Sequence, residues 1–193
     1  MIAIFLKGED MDIFNEKKVA ASVRTDEDFK AALESPVEVI FLQNSDIMNV
    51  QGQIEECHAA GKKVFIHMDF AEGIGKDRAG LSYLKNLGAD GILTTKTGLI
   101  RSARDIGLLA VQRFFIVDSH SVDTAVDSIK IAKPDIVEIM PGVVDKKIKE
   151  FAERVDTPIL AGGLIEHEEE VDRAISSGAK AVSTADQLLW SYK

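Results

Sequence analysis

Short apolar segments recur eight times along this chain, and most are apolar at consecutive positions rather than at alternate ones. They lie at 19–24 (VAASVR), 37–43 (VEVIFLQ), 63–69 (KVFIHMD), 91–95 (GILTT), 110–118 (AVQRFFIVD), 136–140 (IVEIM), 158–161 (PILA) and 181–184 (AVST). Unbroken apolar runs of this length predict strands buried on both faces, as in a parallel sheet covered by helices. Between them the pattern changes to helical periodicity at 26–34, 47–59, 78–87, 97–106, 121–132, 144–155 and 167–177, with a shorter tail near 186–191. Gly61, Gly88, Gly107 and Gly178 stand where four of these helices should end, which suits left-handed C-terminal turns.

Strict alternation of strand and helix predicts an α/β fold. Eight such units favour a compact (β/α)8 barrel, because closure removes both sheet edges. An open doubly wound sheet is the competing architecture. At 193 residues one domain is expected, spanning 1–193, with residues 1–18 as an amino-terminal arm or a segment capping the barrel.

Composition narrows the setting more than the function. The single cysteine, Cys57, cannot close a disulfide within the chain, and the opening MIAIFLKGEDMD lacks a basic leader and a long apolar core. No apolar run approaches membrane-spanning length, so a cytoplasmic protein with no membrane partner is expected. The formal charge of -9 disfavours broad nucleic-acid binding but leaves room for a local basic patch. Lys146, Lys147 and Lys149 neighbour acids and read as an ordinary solvated helix face; Arg101 and Arg104 add a second local cluster.

In a (β/α)8 barrel the carboxyl ends of all strands meet at one mouth, which becomes the default site. Polar residues there are Arg24, Gln43, His67, Asp69, Thr94, Lys96, Arg113, Glu138, Gly162, Gly163, Ser183 and Thr184. Gly162-Gly163 and Ser183-Thr184 follow the last two strands, the usual phosphate position of this fold, where backbone N–H groups favour an anion. A purely structural reading competes: the glycines permit a tight turn and the hydroxyls cap the last helix. Arg113, inside VQRFF, would be costly to bury alone and is expected to pair with Glu138 or Asp69 or to reach ligand oxygens. Lys96 could add a second positive charge, while Asp69 and Glu138 could order hydroxyl groups or the cations.

Other motifs fall short of a chemistry. EGIGKD at 72–77 lacks the complete phosphate-loop pattern, and HEEEV at 167–171 lacks the second histidine of a zinc-protease helix. No metal-ligand spacing emerges, and no catalytic residue is assigned. His67 is expected to be structural.

The ordered set HMD, TTK, QRFF, EIMPG and AGG, over roughly residues 15–190, resembles the glycerol uptake operon antiterminator family. That resemblance implies a small barrel without cofactor that responds to glycerol 3-phosphate and, in regulatory members, binds leader mRNA, with homodimerisation a possibility. The resemblance carries over to Asp69, Lys96, Arg113, Glu138, Gly162, Gly163, Ser183 and Thr184; with Arg24, taken from the strand-end set, these are the expected ligand-binding positions, their separate roles inferred from chemistry. Chemistry assigns the phosphate to Arg113 and backbone groups near Gly163 and Thr184. Two alternatives stand beside the regulator: an isomerase or lyase acting on a phosphorylated metabolite, with Lys96 or Asp69 as base or nucleophile, and a phosphate-binding protein without RNA activity.

Overall fold

The computed structural model describes residues 13–14 and 18–192. Eight parallel strands close into a barrel in the order β1-β2-β3-β4-β5-β6-β7-β8. They are β1 (Val19–Val23), β2 (Val39–Leu42), β3 (Lys63–His67), β4 (Gly91–Thr94), β5 (Leu109–Phe115), β6 (Ile136–Met140), β7 (Ile159–Gly162) and β8 (Ala181–Thr184). Seven helices alternate with them: α1 (Asp26–Glu34), α2 (Val50–Ala59), α3 (Arg78–Leu87), α4 (Thr97–Asp105), α5 (Ser119–Ala132), α6 (Asp145–Ala152) and α7 (Glu168–Ser176). A 3-10 turn, Gln187–Ser191, follows β8 in place of an eighth helix. Closure rests on the pairing of Ala20 with Ser183 and Ala21 with Thr184.

Consecutive apolar residues on a strand serve two separate cores. Ala20, Phe41, Phe65, Leu93, Val111, Ile136, Leu160 and Ala181 fill the barrel interior. Their neighbours, including Ala21, Ile40, Ile66, Ile92, Ala110, Val137 and Val182, face outward and pack under the helices. This is why the strands read as unbroken apolar runs: alternation still exists, but both sides are dry. Ile13 and Phe14 are 4% and 5% exposed and join the interior cluster. The remainder of the expected arm, residues 1–12 and 15–17, lies outside the described residues.

The four helix-ending glycines adopt positive φ, from 71° at Gly61 to 110° at Gly178. At three of the boundaries that differ from the sequence expectation, short polar side chains capture backbone or hydroxyl donors. Asp46 accepts the N–H groups of Met48 and Asn49, so 46–49 is a turn and α2 starts at Val50. β3 stops at His67, since Asp69 turns toward the following strand and binds Thr94 and Thr95. β5 stops at Phe115 rather than 118, and Asp118 instead caps α5 through the Ser121 N–H at 2.7 Å.

Candidate functional site

The interior register that builds the core also builds the site. Two residues beyond an interior apolar position, toward the carboxyl ends of the strands, the side chain becomes polar: Ala20 gives way to Ser22, Phe41 to Gln43, Phe65 to His67, Val111 to Arg113, Ile136 to Glu138 and Ala181 to Ser183. A polar layer therefore covers the apolar plug at the mouth.

Glu138 is the centre of that layer. It is 1% exposed, and its two oxygens are divided between two strands: Arg113 Nε donates to Oε2 at 2.5 Å, and Ser183 Oγ donates to Oε1 at 2.6 Å. Arg113, 8% exposed, also donates from Nη1 to Gln43 Oε1 at 3.4 Å. Burying such a pair is tolerable only because both partners are satisfied; removing either would leave an uncompensated charge. The Arg113 Nη2 group has no protein acceptor among the described residues. Glu138 thus aligns the guanidinium while leaving part of its fork available.

The two glycines after β7 have different reasons. A Cβ at Gly162 would lie 2.4 Å from Glu138 Oε1 and 2.8 Å from Ser183 Oγ, so the hydrogen-bonded centre needs this position bare. Gly163 has φ of 79°. Leu164 follows with φ of 61°, a left-handed conformation unfavourable for a leucine, and its side chain is 67% exposed. Such conformations cluster where the fold positions a ligand-binding loop. Thr184 fixes that loop: its hydroxyl donates to Ile165 O at 2.7 Å and accepts from Asp186 N at 3.0 Å. Thr184 therefore does not cap the last turn itself; Asp186 does, through the Leu188 N–H.

These residues enclose a cavity of about 460 Å³ whose lining includes Arg24, Arg113, Glu138, Gly163, Ser183 and Thr184. Arg24 is exposed, and its guanidinium makes no hydrogen bond or ion pair among the described residues; only its backbone is engaged, by Asp28 and Asn44. The N–H groups of Gly163, Leu164 and Ala185 likewise have no acceptor among the described residues. The amino end of α7 is a poorer anion site than the sequence suggests. Glu170 already accepts the N–H groups of Glu166 and His167, at 2.8 and 3.1 Å, and those bonds hold its carboxyl below the ordinary value. The donors facing the cavity are loop amides and guanidinium groups, rather than a free helix end.

Asp69 and Lys96 are not brought to this cavity. Asp69 is consumed at the β3–β4 side of the mouth: Thr94 Oγ1 donates to it at 2.8 Å, Thr95 N at 2.8 Å and Thr95 Oγ1 at 2.9 Å. Burial by itself would raise its pKa, but the contact with His67 and these three hydrogen bonds outweigh burial and hold the carboxyl well below the usual range. His67 Nε2 stands 3.6 Å from Asp69 Oδ2, too long for a hydrogen bond, and the ring is 2% exposed against the edge of Phe70. Lys96 is exposed at the start of α4, with its N–H on Thr94 Oγ1. Lys76, from the glycine-containing stretch, donates to the Asp69 carbonyl at 2.5 Å.

Ser22, Leu164, Glu166 and His167 also line the cavity without having been expected to bind ligand. The interior register, carried one step past Ala20, would have found Ser22. Nothing local in the sequence marks the other three, which a loop brings in. Among the described residues no group of three His, Cys, Asp or Glu side chains is placed to hold a metal ion, and no helix is long and apolar enough to cross a membrane.

With this geometry in view, residues 19–190 match the family model for the glycerol-3-phosphate responsive antiterminator. The chain belongs to this family. A crystal structure of the glycerol uptake operon antiterminator regulatory protein from Listeria monocytogenes str. 4b F2365 superposes with a TM-score of 0.88 at 29% identity, covering 93% of this chain and 98% of that one. A glycerol uptake operon antiterminator-related protein from Thermotoga maritima MSB8 superposes with a TM-score of 0.80 at 32% identity, covering 90% and 98%. The uncharacterized protein YgcP of Escherichia coli (strain K12) is 31% identical over 182 residues, covering 94% of this chain and 95% of its own length. Family membership settles the sequence resemblance, and the closed barrel settles the choice against an open sheet.

Proposed function

We propose that this protein is a glycerol 3-phosphate sensor whose occupied mouth sets its affinity for leader mRNA, so that the bound transcript escapes termination. The observation that carries the ligand half is the convergence of two incompletely paired guanidinium groups, Arg24 and Arg113, with the acceptor-free loop amides of Gly163, Leu164 and Ala185 around one cavity. Together they match a phosphate in charge and donor geometry. Ser22 and Gln43, on the same cavity wall, offer partners to the glycerol hydroxyls, while Glu138 acts through Arg113 and Ser183. Since Thr184 ties the β7 loop to the β8 loop, a phosphate gripping both would stabilise one arrangement of the two together.

For RNA control, ligand and transcript must be coupled in free energy, each changing the affinity of the other by the same factor. A homodimer would present two copies of any basic surface to one transcript, and a transcript-binding role is a cytoplasmic one. Calorimetric titration with glycerol 3-phosphate, glycerol and inorganic phosphate tests the sensor. Saturable binding is expected with glycerol 3-phosphate tightest, and Arg24→Ala should weaken it roughly tenfold without changing stability, the value of about one charge-assisted hydrogen bond. RNA affinity measured with and without glycerol 3-phosphate at fixed salt tests the switch. Absence of saturable ligand binding removes the reading.

A further inference from the structure

Among the described residues nine large apolar side chains are exposed, and all except Ile131 of α5 sit at the carboxyl ends of the strands or on the segments that follow them. Exposed apolar surface is thus concentrated at the mouth. Its densest sector spans three adjacent strands: Phe115 ends β5 and Val117 follows it, Val144 follows β6, and Leu164 follows β7. Backbone hydrogen bonds stitch these loops together. Ile116 N–H donates to Met140 O at 2.8 Å, and Gly142 N–H to Gly162 O at 2.6 Å and to Gly163 O at 3.0 Å. A surface fixed in this way before a partner arrives lowers the ordering cost of binding. Leu164 combines a left-handed φ of 61° with an apolar side chain left in water, two penalties of which contact with a partner would remove the second.

The size and charge of the sector identify its partner. Phe115, Val117, Val144 and Leu164 together expose on the order of 500 Å², the apolar share of the roughly 800 Å² that each partner contributes to a standard interface. Lys96 at the β4 edge and Glu166 at the β7 edge are exposed, and neither side chain makes a hydrogen bond or ion pair among the described residues. Glu168 and Glu169 extend the acidic edge. Between the edges Asp118 and Asp145 balance Lys146 and Lys147; Asp145 is held by Arg173 at 3.4 Å, and Lys147 by Glu150 at 2.7 Å. A sector without a cation excess does not suit a phosphate backbone. It is cationic at one edge, acidic at the other and apolar between, the self-complementary arrangement that a two-fold interface requires.

We infer that the β5–β7 sector of the mouth is an isologous interface with a second copy of this chain, about a two-fold axis passing between the β5 and β6 loops. That axis exchanges the β4 and β7 edges, so Lys96 of each copy faces Glu166 of the other, while the apolar side chains of the β5 loop meet those of the β6 loop. The interface stands apart from the ligand reading, but its response to ligand rests on that reading. Gly163 and Leu164 carry two of the amides assigned to the phosphate, so an occupied cavity holds Leu164 in its interface position and tightens the pair.

Sedimentation velocity across the micromolar to millimolar range, with and without glycerol 3-phosphate, tests the inference. Wild type should associate reversibly and stop at a dimer. Val117→Glu should weaken the dimer at least tenfold, whereas Met48→Glu, an equal change at an exposed apolar residue of the β2 loop, should leave it unaltered; circular dichroism confirms folding of both. Lys96→Glu and Glu166→Lys should each weaken it several-fold, and the double variant should recover the wild-type constant, because the reversed charges again face each other. Saturating glycerol 3-phosphate should tighten the wild-type dimer at least about fivefold. A wild-type protein that stays monomeric, a dimer insensitive to Val117→Glu, or one lost equally in Met48→Glu overturns the interface. Failure of the double reversal to recover association overturns the two-fold arrangement. If wild type binds glycerol 3-phosphate in calorimetry yet dimerises equally without it, only the link to ligand falls. If it binds none, the sensor reading and the link fall together, and the variants alone judge the interface.

Discussion

The two sides of the barrel mouth use carboxylates in opposite ways. On the β5–β8 side, Glu138 accepts from Arg113 and Ser183 and leaves a guanidinium edge uncommitted beside a cavity. On the β3–β4 side, Asp69 accepts three hydrogen bonds from Thr94 and Thr95 and closes the gap between two strands. Both acids sit near strand ends and both are well satisfied. The difference lies in their partners. A carboxylate paired with a cation that has several N–H donors still leaves binding capacity for a ligand, whereas one saturated by hydroxyl and amide donors from a single loop is a clasp. Position at the mouth therefore selects candidates, and the unpaired donors around each acid decide between recognition and fastening.

The largest effect that would test this contrast is expected from Glu138→Ala. It strands a buried guanidinium and should destabilise the fold by about 3–5 kcal/mol, lowering Tm by on the order of 10 °C for a domain of this size. Thermal unfolding followed by circular dichroism reads it; an unchanged Tm would mean Glu138 does not organise this side. Gly162→Ala comes next, because the added methyl meets Glu138 and Ser183 at less than contact distance. A loss of about 1–3 kcal/mol is expected, together with weaker glycerol 3-phosphate binding.

Asp69→Asn should be milder, about 2 kcal/mol, and should leave ligand affinity unaltered if the clasp stands apart from the cavity. Its pH dependence carries a definite sign. The folded-state pKa of Asp69 lies below the unfolded value of about 4, so its contribution is fully present above that value. It disappears as pH falls through the lower folded pKa. Urea unfolding of wild type and Asp69→Asn should therefore differ at neutral pH and converge in strong acid. A difference that widened on acidification would contradict the clasp. The smallest effect concerns the open side alone: Leu164→Gly removes the left-handed strain at φ of 61° and should be neutral or stabilising by up to about 1 kcal/mol.

How much of this was legible beforehand differs between scaffold and site. The eight strands were visible because each must bury both faces, and the helix ends because glycine marks left-handed turns. The strand termini were less visible: Asp69 and Asp118 continue apolar runs in sequence, yet each captures a backbone N–H that turns the chain. Arg113 and Glu138 could be paired as candidates from burial alone, since neither charge can be buried without a partner. The sequence offered Asp69 as an equally good partner for Arg113, and register chose Glu138, its direct neighbour across β5 and β6. Lys96 looked like a cavity cation by position, but its strand ends at Thr94 and its side chain leaves the mouth at the head of α4.

By itself the sequence determined the eight alternating strands and helices and the polar character of the strand ends, because strand periodicity and the cost of burying charge are local rules acting along the chain. Which strand-end groups remain available to a ligand was decided only by tertiary structure. Hydrogen-bond saturation depends on neighbours contributed by distant strands, and the closing of β1 onto β8 and of β5 onto β6 sets those neighbours.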